Sequence, residues 1–402
     1  MLVVGTLNFV LSMFFRVSTA VVSPALVNDL GFTSAQLSDL SASLFYAFAL
    51  SQIPVGVALD RVGPRVTLGI LAVFAVGGAV LFAVGRTPAE LIAARVLLGI
   101  GIAGNLMVVL ALLAVWFPVD RFAFLSGLVV SVGTLGNLLA ATPLTLLILR
   151  IGWRESFVLF AAIDALIVGA FLIVMRDRPP GYEASVRKSQ PLTAHLRELL
   201  RMYAYWAISA TNFVRYGYFA ALQSLWIAPF LIYGIGLGEI DAGNALFSLS
   251  LGYMVALPLW GSLSDRVFRS RKGVVLWTML VCSLLTLSLS WLDRGEAVWI
   301  VLLIFFWIGF AAAPGQIIYA HIKELLPESV IAQAMTAVNL FTVLGAGFMT
   351  HLLGMVIGPD PSGLAGPAAF RWIWYVGALG LGISCALYAF VPDSKVLKVK
   401  ES

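Results

Sequence analysis

Hydrophobic residues arrive in this chain in long blocks, not in the short alternations of a soluble fold. Twelve apolar runs occupy residues 3–27, 36–58, 66–85, 89–115, 123–148, 156–175, 204–233, 242–263, 274–292, 297–318, 331–357 and 371–391. Each is close to the roughly 20 residues that an α-helix needs to cross a bilayer. In lipid, a run of this length satisfies its own backbone polar groups only by coiling. The pattern predicts an all-α membrane protein with twelve transmembrane helices. Most polar intervals are short, but 176–203 is long and carries the helix-breaking Pro179-Pro180-Gly181. The expected organisation is therefore a six-helix bundle over 1–175, a cytoplasmic linker over 176–203, a second bundle over 204–391 and a cytoplasmic tail over 392–402.

The two halves are related. A single ungapped shift of 205 residues carries Pro24 onto Pro229, Gly31 onto Gly236, Gly56 onto Gly261 and Asp60-Arg61 onto Asp265-Arg266. A chain built twice in parallel orientation predicts two pseudo-symmetric bundles with a binding site between them. Within the linker, Leu192, Leu196, Leu199 and Leu200 recur near helical spacing beside basic residues. This fits either a short helix on the membrane surface or an ordinary flexible connector.

Charge sets the topology. Seventeen of the 25 Lys and Arg fall in the intervals on the side of the N-terminus, five on the other side, and three within runs. By the bias of Lys and Arg toward the cytoplasm, both termini are expected inside, in the inner (plasma) membrane. The net charge of +5 is then a property of cytoplasmic loops and does not point to nucleic acid. The first run begins at once without a basic leader, so no cleaved signal is expected. Cys282 and Cys385 both lie inside runs, against a disulfide framework or a zinc site. No phosphate-cradling loop, metal-ligand cluster or nucleophile triad is present, so neither an enzyme nor a cofactor is expected.

Two motifs carry a family resemblance. After the second run stand Gly56, Asp60, Arg61, Gly63 and Arg65, with a degenerate copy at Gly261, Asp265, Arg266, Arg269 and Lys272. The fourth run contains RVLLGIGIAGN, with Arg95, Gly99, Gly101 and Gly104. Over essentially its full length the chain resembles the major facilitator superfamily. The resemblance implies a monomeric secondary transporter working by alternating access, with the first, fourth, seventh and tenth helices lining a central cavity. In the loop motif, Gly56 is expected to permit close helix approach, and Asp60 to accept from a helix N-terminus. Arg61 and Arg65, with Asp265 and Arg266 in the copy, would then latch the inner face. The alternative is that these basic residues serve topology alone.

Ionisable groups at membrane depth are costly and mark function. Here they are Arg16, Arg95, Asp164 and Arg215, with Asp39 near the outer end of the second helix. Arg16 stands eight residues before Pro24, a spacing similar to that of the organic-phosphate:phosphate antiporter branch, where such an arginine contacts substrate phosphate. Arg215 stands 14 before Pro229, out of register with a symmetric partner of Arg16. That mismatch weakens the case for a phosphate ester but keeps the excess of positive charge. Arg95 and Asp164 enter from one face at similar depth and are expected to pair, either structurally or as a proton relay. Candidate cavity groups around the arginines are Tyr46, Asn105, Asn212, Tyr216, Gln223, Trp226, Trp307, Gln316, Tyr319 and Asn339. His321 is expected at the solvated end of the tenth helix, and His351 as a packing residue of the eleventh, with proton coupling as the alternative.

The fifth helix has Gly133, Gly136 and Pro143 but no Gly-Pro pair, unlike proton-coupled drug antiporters of the superfamily. The sequence thus predicts a proton-coupled carrier of a small, carboxylate-like organic anion held by Arg16 and Arg215. An exporter of a drug, siderophore or metabolite is one alternative, and a non-transporting sensor on the same fold is another.

Overall fold

The computed structural model describes residues 2–177, 199–326, 328–357 and 367–393, without the side chains at 119, 120, 123, 265, 316, 328, 329, 332 and 333. Within them, ten helices are long and apolar enough to span a bilayer, and the bent pair Phe124–Leu139 and Thr142–Ile151 supplies another. One of the ten, Ser34–Val84, has 51 residues, about 75 Å at 1.5 Å per residue. That is more than twice the ~30 Å of hydrocarbon it must cross. Gly63, with φ 83° and ψ 166°, breaks it into two spans. The described spans are α1 (Leu2–Leu30), α2 (34–62), α3 (64–84), α4 (Pro88–Trp116), α5 (119–151) and α6 (Trp153–Val174). The second set is α7 (Tyr203–Ile235), α8 (Glu239–Phe268), α9 (Arg271–Trp291), α10 (Val298–Leu325), α11 (Glu328–Ile357) and α12 (Arg371–Ala389). The surface helix weighed for 192–201 lies mostly outside the described residues.

The repeat read from the sequence reappears in the helix ends. Gly31 and Gly236 adopt φ of 65° and 87°, a region open to glycine because it lacks a Cβ. After each glycine the chain turns back on the helix just finished. The Phe32 amide donates to the Leu26 carbonyl at 3.3 Å, and the Leu237 amide to the Leu231 carbonyl at 2.9 Å. Each bond spans seven residues, one more than the closure of a Schellman cap, and the two are related by the same shift of 205 positions.

Equivalent helix pairs build each bundle: α1 on α5 and α7 on α11, α2 on α4 and α8 on α10, α3 on α6 and α9 on α12. Glycines set the close approaches. A Cβ on Gly101 would overlap the Ala75 backbone of α3, and one on Gly345 the Phe213 carbonyl of α7. Gly133 and Gly136 of α5 pack in the same way, against Phe9 and the Val10 carbonyl of α1.

The bundles meet through α1 with α7, α2 with α11 and α5 with α8. Ser41 Oγ lies 3.2 Å from Ser224 Oγ, Thr142 Oγ1 donates to Asn244 Oδ1 at 2.8 Å, and Asp39 faces His351 at 3.0 Å. All of these residues lie in the half of the membrane remote from the α2–α3 loop.

Candidate functional site

Both α4 and α10 are interrupted near their middles, at Ala103–Gly104 and Ala313–Pro314. A break frees carbonyls that an intact helix would use internally, and side chains from neighbouring helices take them. Gln52 of α2 donates to the Ala103 carbonyl at 3.0 Å. Trp260 of α8 donates to the Phe310 carbonyl at 3.0 Å, which Pro314, lacking an N–H, cannot reach. Arg215 Nη1 of α7 donates to the Ala312 carbonyl at 2.6 Å. Its guanidinium fills the space that a Cβ on Gly315 would occupy.

Arg215 is 8% exposed, and its electrostatic neighbours are Tyr216, Tyr253, Cys282 and Tyr319. From the other bundle, Arg16 lies over the Phe48 ring at 4.2 Å and faces the Tyr216 hydroxyl. Tyr216 therefore stands between the two arginines. Among the described residues neither arginine has a carboxylate partner, and the Nε of each is buried without an acceptor. Tyr319 extends the polar wall toward Asn339 Oδ1 (3.4 Å) and Thr342 Oγ1 (3.3 Å). Asn212 is fully buried with neither amide atom partnered.

Other candidates are placed elsewhere. Asn105 gives its Nδ2 to the Asn8 carbonyl at 3.2 Å and so ties α4 to α1. Gln223 donates to Ser250 Oγ at 3.0 Å and Trp226 to the Thr350 carbonyl at 3.3 Å. Both bonds lie within the second bundle. Tyr46 lies at the junction of the bundles against Gly347. Trp307 is 46% exposed and packs edge-on against Phe310. The side chains of Gln316 and Asp265 are outside the described residues.

The expected Arg95–Asp164 pair does not form. Arg95 is fully buried, gives Nη1 to the Phe15 carbonyl at 2.8 Å and reaches Ser18 Oγ at 3.3 Å. The Phe82 and Phe157 rings flank its guanidinium. Asp164 stands seven residues beyond Phe157, about 10 Å further along α6, and its Oδ2 has no partner. Asp164 lies eleven residues beyond the first residue of α6, Trp153, and Arg95 only seven beyond the first of α4, Pro88, a difference of about 6 Å at 1.5 Å per residue. A long helical side chain leans back toward its own N-terminus, which carries the guanidinium further from the level of Asp164.

The loop motif also works differently from its sequence reading. A Cβ on Gly56 or Gly261 would meet nothing within 4 Å, so neither glycine permits a close approach. Asp60, Arg61 and Arg266 are exposed, and no described side chain pairs with Asp60 or Arg61. The carboxylate at the helix N-terminus is instead Asp177, just past α6, which accepts from the Arg65 amide at 2.7 Å. Arg65 Nη2 donates to the Leu172 carbonyl at 2.6 Å. The second bundle repeats the device: Asp393, just past α12, accepts from the Lys272 amide at 3.2 Å and from Ser270 Oγ at 2.5 Å. Arg271, outside the motif copy, pairs with Glu324 at 3.1 Å. The contacts described here stay within one bundle and do not latch the two together.

Gly63, at the cap position of α3, has no side chain to offer, whereas Ser270 also caps α9 by accepting from the Gly273 amide at 2.8 Å. Asp177→Ala is therefore expected to cost about 0.5–2 kcal/mol, the worth of a helix cap, and Asp393→Ala less. Thermal denaturation in detergent checks both the loss and the order.

Both histidines depart from expectation. His321 is fully buried, not solvated. Its Nε2 donates to the Pro392 carbonyl at 3.0 Å, and Nδ1 accepts from the Tyr388 hydroxyl at 2.5 Å. His351 is 45% exposed and faces Asp39.

Two broken helices, two repeated bundles and a polar seam between them invite comparison with known carriers. The sequence profile described as Major Facilitator Superfamily matches residues 5–243 and 216–402. The chain belongs to that superfamily. It is a membrane transporter, not an enzyme. A relative named as a probable sulfoacetate transporter from Cupriavidus necator is 25% identical over 68% of the chain and 67% of its own length. A hexuronate transporter from Bacillus subtilis is 25% identical over 89% of the chain and 83% of its own length. The solved structure of a bacterial homologue of the lysosomal transporter Spinster, inward-facing and unoccupied, superposes with a TM-score of 0.77. It is 17% identical and covers 97% of this chain and 96% of that one.

Proposed function

We propose that this carrier moves a small organic anion of carboxylate type, acting as a monomer in the inner membrane with both termini in the cytoplasm. The observation that carries the reading is the pair of guanidinium groups on α1 and α7, each lacking a carboxylate partner and holding Tyr216 between them. Buried charge without a partner is among the most costly arrangements a protein can hold, and an anionic cargo offsets that cost. Two relatives are named for sulfoacetate and hexuronate, both anions, which supports the same class. The planar donor forks of arginine suit the two oxygens of a carboxylate. With the bundles joined on the face remote from the α2–α3 loop, cargo reaches the site from the cytoplasmic side. Proton coupling belongs to this reading, but a relay between Asp164 and Arg95 does not, because the two do not pair.

A thermal-shift screen of the purified protein against carboxylates, sulfonates, phosphate esters, amino acids and lipophilic cations tests the cargo class. An anion at 100 times its Kd is expected to stabilise the fold by about 2.7 kcal/mol, readable as a rise of several degrees. A shift confined to cations would overturn the proposal.

A further inference from the structure

Asp39 of α2 and His351 of α11 make a side-chain contact that joins the two bundles, well away from the central arginines. Asp39 Oδ1 lies 3.0 Å from His351 Nδ1, and the two side chains are 47% and 45% exposed. They open onto a cleft of about 370 Å³ lined also by Ala42, Ser43, Tyr46 and Ile92. The pair therefore combines three properties not found together elsewhere among the described residues. It is titratable, it is open to solvent, and it spans a junction that must part whenever the carrier opens on that side.

We propose that His351 is a proton-binding switch, and that its protonated form clasps Asp39 and holds the bundles closed on the face remote from the α2–α3 loop. The imidazole is the side chain whose charge changes near neutral pH. Below that range a cation faces the carboxylate across the junction. Above it the contact falls back to a hydrogen bond between a neutral ring and an anion, and the closed form loses part of its support. The sign is fixed: acid favours closure on this face, and alkali favours opening.

Among the described residues no other charge competes for the pair. On α2 the neighbouring titratable group is Tyr46, and the next charge, Arg16, lies at Phe48, nine residues and about 13 Å along the helix. On α4 the cleft receives Ile92, while Arg95 is turned to the Phe15 carbonyl and Glu90 to the Arg86 and Thr87 amides. On α7 the nearby groups are the uncharged Ser224 and Trp226, and Arg215 is held at Ala312. Arg371, at the start of α12, faces Asp293 at 3.9 Å.

The test needs no knowledge of the cargo. Spin labels are placed at Ala35→Cys on α2 and Met355→Cys on α11, both exposed positions, in a chain with Cys282 and Cys385 replaced by Ala. Distances are then measured by pulsed electron resonance in lipid nanodiscs at about pH 5.5 and about pH 8, either side of the imidazole range. The ratio of short to long distances is expected to be about two- to five-fold higher at the acid pH, the size of effect that a partly exposed ion pair supports. His351→Gln and Asp39→Asn should each abolish the pH response, and the exchange Asp39→His with His351→Asp should restore it. A parent protein whose distances ignore pH, or a His351→Gln variant that responds as the parent does, would overturn the proposal. Failure here would leave the anion site intact, because the central arginines play no part in the measurement.

Discussion

Arg16→Gln and Arg215→Gln are each expected to lower uptake of the anion by about 100-fold or more, while the protein folds as before. Removing one member of a buried, charge-assisted contact costs about 2–5 kcal/mol, and each 1.36 kcal/mol is a factor of ten. The loss is expected in binding, because these groups meet the cargo itself. A second consequence separates this reading from one in which the arginines only support the fold. In the empty protein, the Nε of each arginine is buried without an acceptor, a costly state. Exchanging Arg16 for a neutral amide should therefore leave the melting temperature of the carrier unchanged or raise it, whereas at Arg215 the lost bond to the Ala312 carbonyl offsets part of that gain. An arginine locked in a structural pair would give the opposite sign, since breaking such a pair strands its partner. Lysine at either position keeps the charge but not the fork, so Arg16→Lys should retain part of the activity. Counterflow in proteoliposomes with the anion found by thermal shift, alongside melting of the empty variants, decides the matter. Full transport in both glutamine variants would end the anion-site reading.

Gly315→Ala is expected to reduce transport by at least about ten-fold. The added Cβ would occupy the place of the Arg215 guanidinium. The obstructing atoms are the far end of a flexible side chain, so the fold is relieved by swinging Arg215 out of its seat. The Ala312 carbonyl then loses its donor, and a net hydrogen bond to a charged group is worth about 1.5–3 kcal/mol. The damage thus falls on the position of a cation and not on the packing of helices. Gly101→Ala provides the contrast, because there the obstruction is the Ala75 backbone, which cannot step aside. That variant should lose about 1–3 kcal/mol of stability, the cost of overpacking. Gly382→Ala, where a Cβ meets nothing within 4 Å, serves as the neutral control. Equal transport by Gly315→Ala and Gly382→Ala would show that the seat of Arg215 does not matter.

Much of the architecture was legible because the bilayer forces it. Runs of about 20 apolar residues have one structural solution in lipid, and the shift relating Gly31 to Gly236 also relates the caps those glycines make. The central arginines were legible for the same reason, since charge at that depth stands out against its surroundings. The failures share a different cause. Pairing Arg95 with Asp164 assumed helix starts that set their Cα atoms level, but α6 begins already at Trp153, and the lean of a long side chain widens the gap. Asp177 and Asp393 were passed over because an acid just beyond a membrane helix looks like any loop residue in sequence. Its role emerges only once α6 and α12 end beside the starts of α3 and α9. His351 and Asp39 are 312 residues apart, and nothing local hints that the junction of two bundles unites them. The partners of Gln223 and Trp226 within the second bundle were hidden for a related reason. The sequence shows that an amide or indole in a membrane helix needs a partner, but not which neighbour provides it.

The seam that joins the halves has an energetic corollary. Its described polar contacts are a serine pair, a threonine with an asparagine, and an aspartate with a histidine. Each such bond is worth about 1 kcal/mol net, so unzipping all of them demands only a few kcal/mol. A ligand of micromolar affinity releases about 8 kcal/mol on docking. A difference of a few kcal/mol in that affinity between the two forms of the carrier is enough to tip the rocking equilibrium.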